Sequence, residues 1–330
     1  MATLHHPLEW RIGLVGYGEV GRILAEDLRA QGLRVAAYDR KLGGGEEAAL
    51  VEHAGRHGVT LAASHAALAA GADLIISAVT ADQTVAVASA CVPGVRAGSW
   101  FLDLNSASPG EKIRAAGLVD AASAHYVEAA VMTSVPPYRI RVPMLLGGAD
   151  AAQLAPALAA FGFEARLASA RLGVASATKM CRSIMIKGLE AMVIESFTAA
   201  RAYGVEDAVL ASLAETFPGI DWERQGAYFF QRVIEHGRRR AEEVREVART
   251  VREAGLEPWS ATATAERQAC MADLADDGVF GQRGTAGFAR SPDWRTEADR
   301  LLEYRQRRAA NRAGDTASQP GRASVAAGAG

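Results

Sequence analysis

Ile12-Gly13-Leu14-Val15-Gly16-Tyr17-Gly18-Glu19-Val20-Gly21 is the stretch whose reading decides the fold. An apolar run of strand length passes into Gly16-x-Gly18-x-x-Gly21, and an amphipathic stretch, Glu19–Gln31, follows. Glycine at 16 permits a tight turn, at 18 lets the backbone approach a pyrophosphate, and at 21 lets a helix pack closely on the strand. The helix then aims its N-terminal N–H groups at the phosphates. Three glycines at this spacing are a weak sign alone. Their place between strand and helix, and a second apolar run that ends at Asp39, supply the context a dinucleotide site requires. Gly16, Tyr17, Gly18, Glu19, Val20 and Gly21 are therefore assigned to the cofactor-binding turn. A carboxylate at Asp39 can accept both hydroxyls of an adenosine ribose and repels a 2′-phosphate, which favours NAD. Arg40 and Lys41 follow at once and can accommodate that phosphate, so NADP stays open.

Outward from this turn, short apolar runs alternate with alanine-rich amphipathic stretches. The runs are Arg11–Val15, Arg34–Tyr38, Leu74–Val79, Trp100–Leu104, Tyr126–Ala130 and Pro143–Leu146. Gln83–Cys91 reads as a helix, and Ser108-Pro109-Gly110-Glu111 as a helix start with a Ser cap, Pro at the first position and Glu completing a capping box. Strands alternating with helices predict an α/β Rossmann domain with a mostly parallel, doubly wound sheet over residues 1–168. Open sheets of this kind bind ligands at the carboxyl ends of their strands. Val79 and Thr80 there are expected to line the cofactor, and Asn105 and Ser106 to contact substrate or nicotinamide. The plainer reading of these polar residues is capping of the helices that follow.

After Gly173 the strand pattern stops. Ala175–Tyr203 predicts one long helix ending at Gly204, and Val205–Thr216, Trp222–His236, Arg238–Ala254, Ala261–Ala275 and Pro292–Ala309 predict five more. Residues 169–312 thus form an all-α domain. The composition of 313–330 collapses to small residues and predicts a disordered tail. Trp222, Tyr228, Phe229 and Phe230 read as helical core, some of them available to wall a pocket.

The chain has 330 residues, 49% hydrophobic and 22% charged, enough for two folded domains. A net charge of -2 argues against a nucleic-acid partner. No apolar run reaches membrane-span length, and residues 1–9 carry no secretory pattern, so a cytoplasmic location is expected. Three scattered cysteines, Cys91, Cys181 and Cys270, read as reduced thiols, and no metal site is expected.

Four stretches together resemble the β-hydroxyacid dehydrogenases, the superfamily of 3-hydroxyisobutyrate and 6-phosphogluconate dehydrogenases. They are the glycine turn, Leu102-Asp103-Leu104-Asn105-Ser106-Ala107-Ser108-Pro109, Tyr126-Val127-Glu128-Ala129-Ala130-Val131, and Gly173-Val174-Ala175-Ser176-Ala177-Thr178-Lys179. Lys187-Gly188-Leu189-Glu190-Ala191 and His236-Gly237-Arg238-Arg239 further resemble a subgroup known only as phosphogluconate dehydrogenase-like. The resemblance implies a catalytic lysine at Lys179, a small-molecule substrate and a homodimer formed through the helical domain. Ser183 stands where the family usually has Asn, one helical turn beyond the lysine, and is expected to share in catalysis by donating, with less reach, to a substrate hydroxyl. Met132-Thr133-Ser134 replaces a Ser-Gly-Gly substrate loop, so Thr133 and Ser134 are expected to take over acid recognition through their hydroxyls. Ile186 occupies the place of the Glu carried by decarboxylating members, which argues against decarboxylation. Imine reductases of the wider group usually replace the lysine, and its retention favours oxidation of an alcohol or reduction of a carbonyl.

Hydride removal from a carbinol carbon needs a base for the hydroxyl proton. Lys179 is expected to serve once burial, and positive charge on an oxidised nicotinamide, lower its pKa. Lys187, two turns further on, either helps to hold an anionic substrate or is solvated. Arg238-Arg239-Arg240 reads as a solvated helix start paired with Glu242 and Glu243, the alternative being an anion anchor with His236. Beside the dehydrogenase stand two other readings: an NADPH-dependent imine or ketone reductase with Lys179 merely structural, and a dinucleotide-binding sensor without turnover.

Overall fold

The apolar runs assemble into one eight-stranded sheet in a computed structural model that describes residues 6–289 and 291–317. The strands are β1 (Arg11–Val15), β2 (Arg34–Tyr38), β3 (Thr60–Leu61), β4 (Leu74–Ser77), β5 (Trp100–Asp103), β6 (His125–Val131), β7 (Met144–Gly147) and β8 (Ala165–Ser169). Their order is β3-β2-β1-β4-β5-β6-β7-β8. All neighbours are parallel except β6 and β7. Between them run α1 (Glu19–Ala30), α2 (Glu47–His57), α3 (His65–Gly71), α4 (Thr84–Cys91), α5 (Pro109–Ala121) and α6 (Ala151–Ala160). The remaining helices are α7 (Val174–Tyr203), α8 (Glu206–Thr216), α9 (Trp222–Glu253), α10 (Trp259–Asp276) and α11 (Trp294–Ala317). The expected fold class, a mostly parallel doubly wound sheet followed by helices alone, is borne out.

The central strands read as unbroken apolar runs because both faces are covered. Leu24 and Leu28 of α1 and Leu154 and Leu158 of α6 pack with Ile12, Leu14 and Leu102 on one face. Leu68, Val87, Ala115 and Val119 of α3–α5 pack with Val15, Ile75 and Phe101 on the other. The two strands that periodicity missed, β3 and β8, are short or largely exposed edge strands without an apolar face. The chain leaves β1 toward β2 and β3 and returns on the other side as β4, so the strand order reverses beside the glycine turn.

The chain folds as two compact units: residues up to Ile186 with Glu242–Ala263, and Lys187–Ala241 with the residues from Thr264. The second unit has its own core, which includes Phe197, Trp222, Phe230, Val233, Met271 and Trp294. Phe229 is also buried, whereas Tyr228 is half exposed.

The two helices expected at Trp222–His236 and Arg238–Ala254 are one continuous helix, α9. Gly237 does not end it; a Cβ there would lie 2.6 Å from the Gln268 carbonyl oxygen, so glycine allows another helix to approach. Arg238–Arg240 is accordingly mid-helix. Arg238 pairs with Asp273 and Asp276, and Arg240 is buried against Glu190. α11 runs to residue 317, and the remainder of the expected tail, 318–330, lies outside the described residues. No helix among the described residues is long and apolar enough to cross a membrane.

Candidate active site and cofactor-binding edge

Five parallel strands end on one edge, and their ends carry the residues singled out in sequence: Gly16 after β1, Asp39 after β2, Val79 and Thr80 after β4, Asn105 and Ser106 after β5, Thr133 and Ser134 after β6. Gly16 has φ +90°, and a Cβ on it would lie 2.4 Å from the Ala78 carbonyl oxygen. A Cβ on Gly21 would lie 2.0 Å from the Gly16 carbonyl oxygen, whereas one on Gly18 would meet nothing within 4 Å. The turn is therefore tight against β4 and α1 but open above Gly18. There α1 begins with no side chain capping its N–H groups. Open space over uncapped amides suits an anionic group, and the turn fits a dinucleotide pyrophosphate.

Asp39 holds this turn to β2. Its Oδ2 accepts the Tyr17 N–H at 2.7 Å and its Oδ1 the Lys41 N–H at 3.0 Å. The carboxylate thus stands fixed at the strand end with lone pairs to spare for ribose hydroxyls. Glu19 and Arg40 are exposed and Val20 is half-buried. The Lys41 ammonium pairs with Glu46 at 2.7 Å. The Thr80 hydroxyl, helped by Gln83, holds the Asp82 carboxyl below its ordinary range.

Lys179 and Ser106 meet. Lys179 lies in the second turn of α7, half-buried, and its Nζ donates to Ser106 Oγ at 2.6 Å. Asn105 behaves differently from Ser106. Its Nδ2 donates to Ser77 Oγ at 3.0 Å and its Oδ1 accepts the Val79 N–H at 2.8 Å, so this buried amide ties the end of β4 to the end of β5. Its own N–H donates to Asp103 Oδ1 at 2.8 Å. Asp103 also accepts from Tyr126 Oη at 2.5 Å and pairs with Lys112 Nζ at 2.9 Å, both charged side chains being only 1% exposed. Beside this carboxylate, burial and then the Asp103 charge push the Tyr126 hydroxyl well above its ordinary value.

Three further carboxylates hold the starts of α7 and α5. Glu128 of β6 is fully buried and accepts N–H bonds from Gly173, Ala175 and Ser176 at 2.7, 3.2 and 3.3 Å. It caps α7, the helix of Lys179, from another strand. At α5 the Ser108 Oγ accepts the Glu111 N–H as expected, at 3.4 Å. The other half of the expected capping box is not made by Glu111: the Ser108 N–H donates to Glu246 at 2.9 Å. The Ser108 hydroxyl donates to Glu253 at 2.7 Å. Burial raises the Glu246 carboxyl, an effect the Ser108 N–H partly offsets.

Ser183 is buried on α7, and Lys187 is buried within the second unit. Thr133 is exposed and Ser134 half-buried in the loop after β6, with no side-chain hydrogen bond among the described residues. Asp103, Lys112, Glu128 and Glu246 went unnoticed in the sequence. A lone acid inside each of the apolar runs Trp100–Leu104 and Tyr126–Ala130 was the available signal, since a charge there needs a buried partner.

Two stretches of the chain match known protein families. Residues 11–166 match the NAD binding domain of 6-phosphogluconate dehydrogenase, and residues 200–271 match a domain of unknown function, DUF1932. A conserved hypothetical protein from Sinorhizobium meliloti 1021 is 34% identical, with 90% of this chain and 96% of that one covered and a TM-score of 0.71. An uncharacterized 28.5 kDa protein of Methanothermus fervidus is 28% identical over 75% of this chain and 93% of its own length. The 3-hydroxyisobutyrate dehydrogenase of Mycobacterium tuberculosis, solved with L-serine, is 16% identical and shares the fold at a TM-score of 0.65, over 89% of this chain and 99% of that one. The protein is thus an oxidoreductase that uses a nicotinamide dinucleotide. With a glycine turn on the carboxyl edge of its sheet and a DUF1932 segment later in the sequence, the chain belongs to the β-hydroxyacid dehydrogenase superfamily.

Proposed function

We propose that the protein is a dehydrogenase acting on the CH–OH group of a hydroxy acid or related alcohol, with Lys179 as general acid–base. The observation that carries the proposal is the 2.6 Å hydrogen bond from Lys179 Nζ to Ser106 Oγ at the carboxyl edge of the sheet. When bound, the nicotinamide supplies a hydride acceptor in one direction and a hydride donor in the other. Gly16–Gly21 would hold its pyrophosphate, Asp39 its adenosine ribose, and Val79 and Thr80 the wall beside it. Lys179 in its neutral form takes the hydroxyl proton during oxidation and, as the ammonium, returns it during reduction. Ser106, whose oxygen accepts from Lys179, keeps its own proton to donate to the substrate oxygen. Asn105 supports this pair by fixing the loop. Ser183 is assigned to catalysis beside Lys179, as a donor to the substrate hydroxyl, Thr133 and Ser134 to binding of the substrate, and the helical domain to a homodimer.

NAD is the assigned cofactor. Asp39 is pinned by two backbone N–H groups, so its charge stays where a 2′-phosphate would lie, and Lys41 is occupied by Glu46. Thermal melting with NADH and NADPH separately tests the cofactor, since binding to the folded state alone raises the melting temperature. A shift with NADH and none with NADPH is expected; the reverse would assign Arg40 to a phosphate and favour an imine or ketone reductase. Turnover of Lys179→Met over a panel of hydroxy acids tests the chemistry. Near-normal rates would overturn the role of Lys179.

A further inference from the structure

His53 and His57 lie one turn apart on α2 and take no part in the site described above. Their rings stack with centroids 4.5 Å apart and planes 30° apart. Glu26 of α1 faces them, its Oε1 3.0 Å from His53 Nε2. One ligand atom from each of Glu26, His53 and His57 lies within 4.8 Å of the other two. All three side chains are half-buried, and the His57 ring makes no hydrogen bond among the described residues. We propose that Glu26, His53 and His57 form a binding site for a divalent transition-metal ion of the zinc type, separate from the catalytic edge.

The donor set points to that class of ion. Two imidazoles and one carboxylate suit Zn²⁺, and also Ni²⁺ or Cu²⁺, whereas Ca²⁺ and Mg²⁺ take oxygen ligands. Histidines at i and i+4 project from one side of a helix and so present two nitrogens together. Around a tetrahedral ion with bonds of about 2.1 Å, ligand atoms lie roughly 3.4 Å apart. Rotation of the His57 and Glu26 side chains closes that gap, and water takes the fourth position.

The outer partners of the ligands are already in place. Arg139 Nη2 donates to Glu26 Oε2 at 2.7 Å, which leaves Oε1 for the ion. The guanidinium is itself neutralised by Asp27, which it meets at 2.7 and 2.8 Å. Tyr17 Oη lies 2.9 Å from His53 Nδ1. Without an ion, the carboxylate of Glu26 can only accept, so in the neutral ring His53 Nε2 carries the proton and Nδ1 accepts from the Tyr17 hydroxyl. An ion on Nε2 moves that proton to Nδ1, which then donates to Tyr17 Oη. This is the pattern in which a ligating histidine is held by its other nitrogen. The site therefore exchanges the proton between His53 and Glu26 for an ion while the Tyr17–His53 hydrogen bond is kept with its direction reversed, and it reaches through Tyr17 to the glycine turn.

The test is a Zn²⁺ titration of the full chain, free of affinity tag and stripped with chelator, read by competition with a chromophoric chelator. We expect one ion per chain, and binding at least tenfold weaker in both His57→Ala and His57→Gln, with Zn²⁺ raising the melting temperature of the wild type only. His125→Ala, which removes a histidine–carboxylate pair outside the cluster, should bind as the wild type does. Binding of equal strength in the His57 variants, or no saturable binding by the wild type, would overturn the proposal.

Discussion

Lys112 and Lys179 flank the same loop and have opposite parts in it. Lys112 is 1% exposed and paired with an equally buried Asp103, so it is a structural charge. Removing one partner of such a pair leaves the other uncompensated, at a cost of about 3–5 kcal/mol. Lys112→Met should therefore lower the melting temperature by many degrees. Lys179→Met should leave melting nearly unchanged and reduce kcat by roughly 10²–10⁴-fold. Melting curves and turnover for both variants check the assignment, and exchanged phenotypes would refute it. Lys179 is legible in the sequence through its motif, whereas nothing local marks Lys112, because partners distant in sequence decide burial. A second residue-scale consequence concerns Asp73. Burial alone would raise its carboxyl, but hydrogen bonds from the Arg11 side chain and N–H and from Arg96 hold it well below the usual range. A depressed folded pKa adds stability above the unfolded value of about 3.9 and loses it as pH falls through the folded value. Asp73→Asn should thus melt lower than the wild type at pH 7, and the difference should shrink steadily below about pH 4. A gap independent of pH would show that the carboxylate charge is not what matters.

Among the elements, α7 depends on a residue outside itself. Glu128 accepts three of the N–H groups at its start, and Lys179 lies one turn further on. Glu128→Gln turns one carboxylate oxygen into an NH₂ group that cannot accept from those donors. A loss of about 2 kcal/mol in stability is expected, the scale of hydrogen bonds to a charged group. kcat should fall as well, because the lysine loses its fixed origin; unchanged kcat would separate the cap from catalysis. In α9, Gly237→Ala sets two effects against each other. Helix propensity favours Ala by about 1 kcal/mol. A Cβ 2.6 Å from the Gln268 carbonyl forces backbone apart, and overpacking of this kind costs about 1–3 kcal/mol. The clash should win and lower the melting temperature, as denaturation would show. A glycine between two helical stretches reads as a break in the sequence, yet Gly237 is a point of helix contact, and only the neighbouring helix distinguishes the two. The sheet was more legible. The central strands are legible as apolar runs covered on both faces, and β2 as a shorter apolar run, whereas β3 and β8 bury too little to leave a pattern.

For the molecule as a whole, the exposed apolar side chains bear on assembly. Met185 and Met192, seven residues apart on α7, project on the same side of that helix and are 72% and 61% exposed. Large apolar groups so exposed on one helix side are expected to be covered by a partner, and a second copy of the chain is the partner assigned above. In a two-fold interface each copy contributes the same surface, so both methionines are buried twice. Each fully buried side chain of this size contributes about 1.5–3 kcal/mol. Burial of four such side chains therefore offsets part of the freedom lost on association, and the rest of the interface supplies the remainder. Replacing both with Glu would remove that contribution and place four like charges in the contact. Analytical ultracentrifugation should find the wild type dimeric at micromolar concentration and Met185→Glu/Met192→Glu monomeric. The double variant should keep its cofactor-induced rise in melting temperature, because the glycine turn and Asp39 belong to the other end of the chain. A wild type that stays monomeric at high concentration would remove the dimer and leave those methionines as surface that nothing covers.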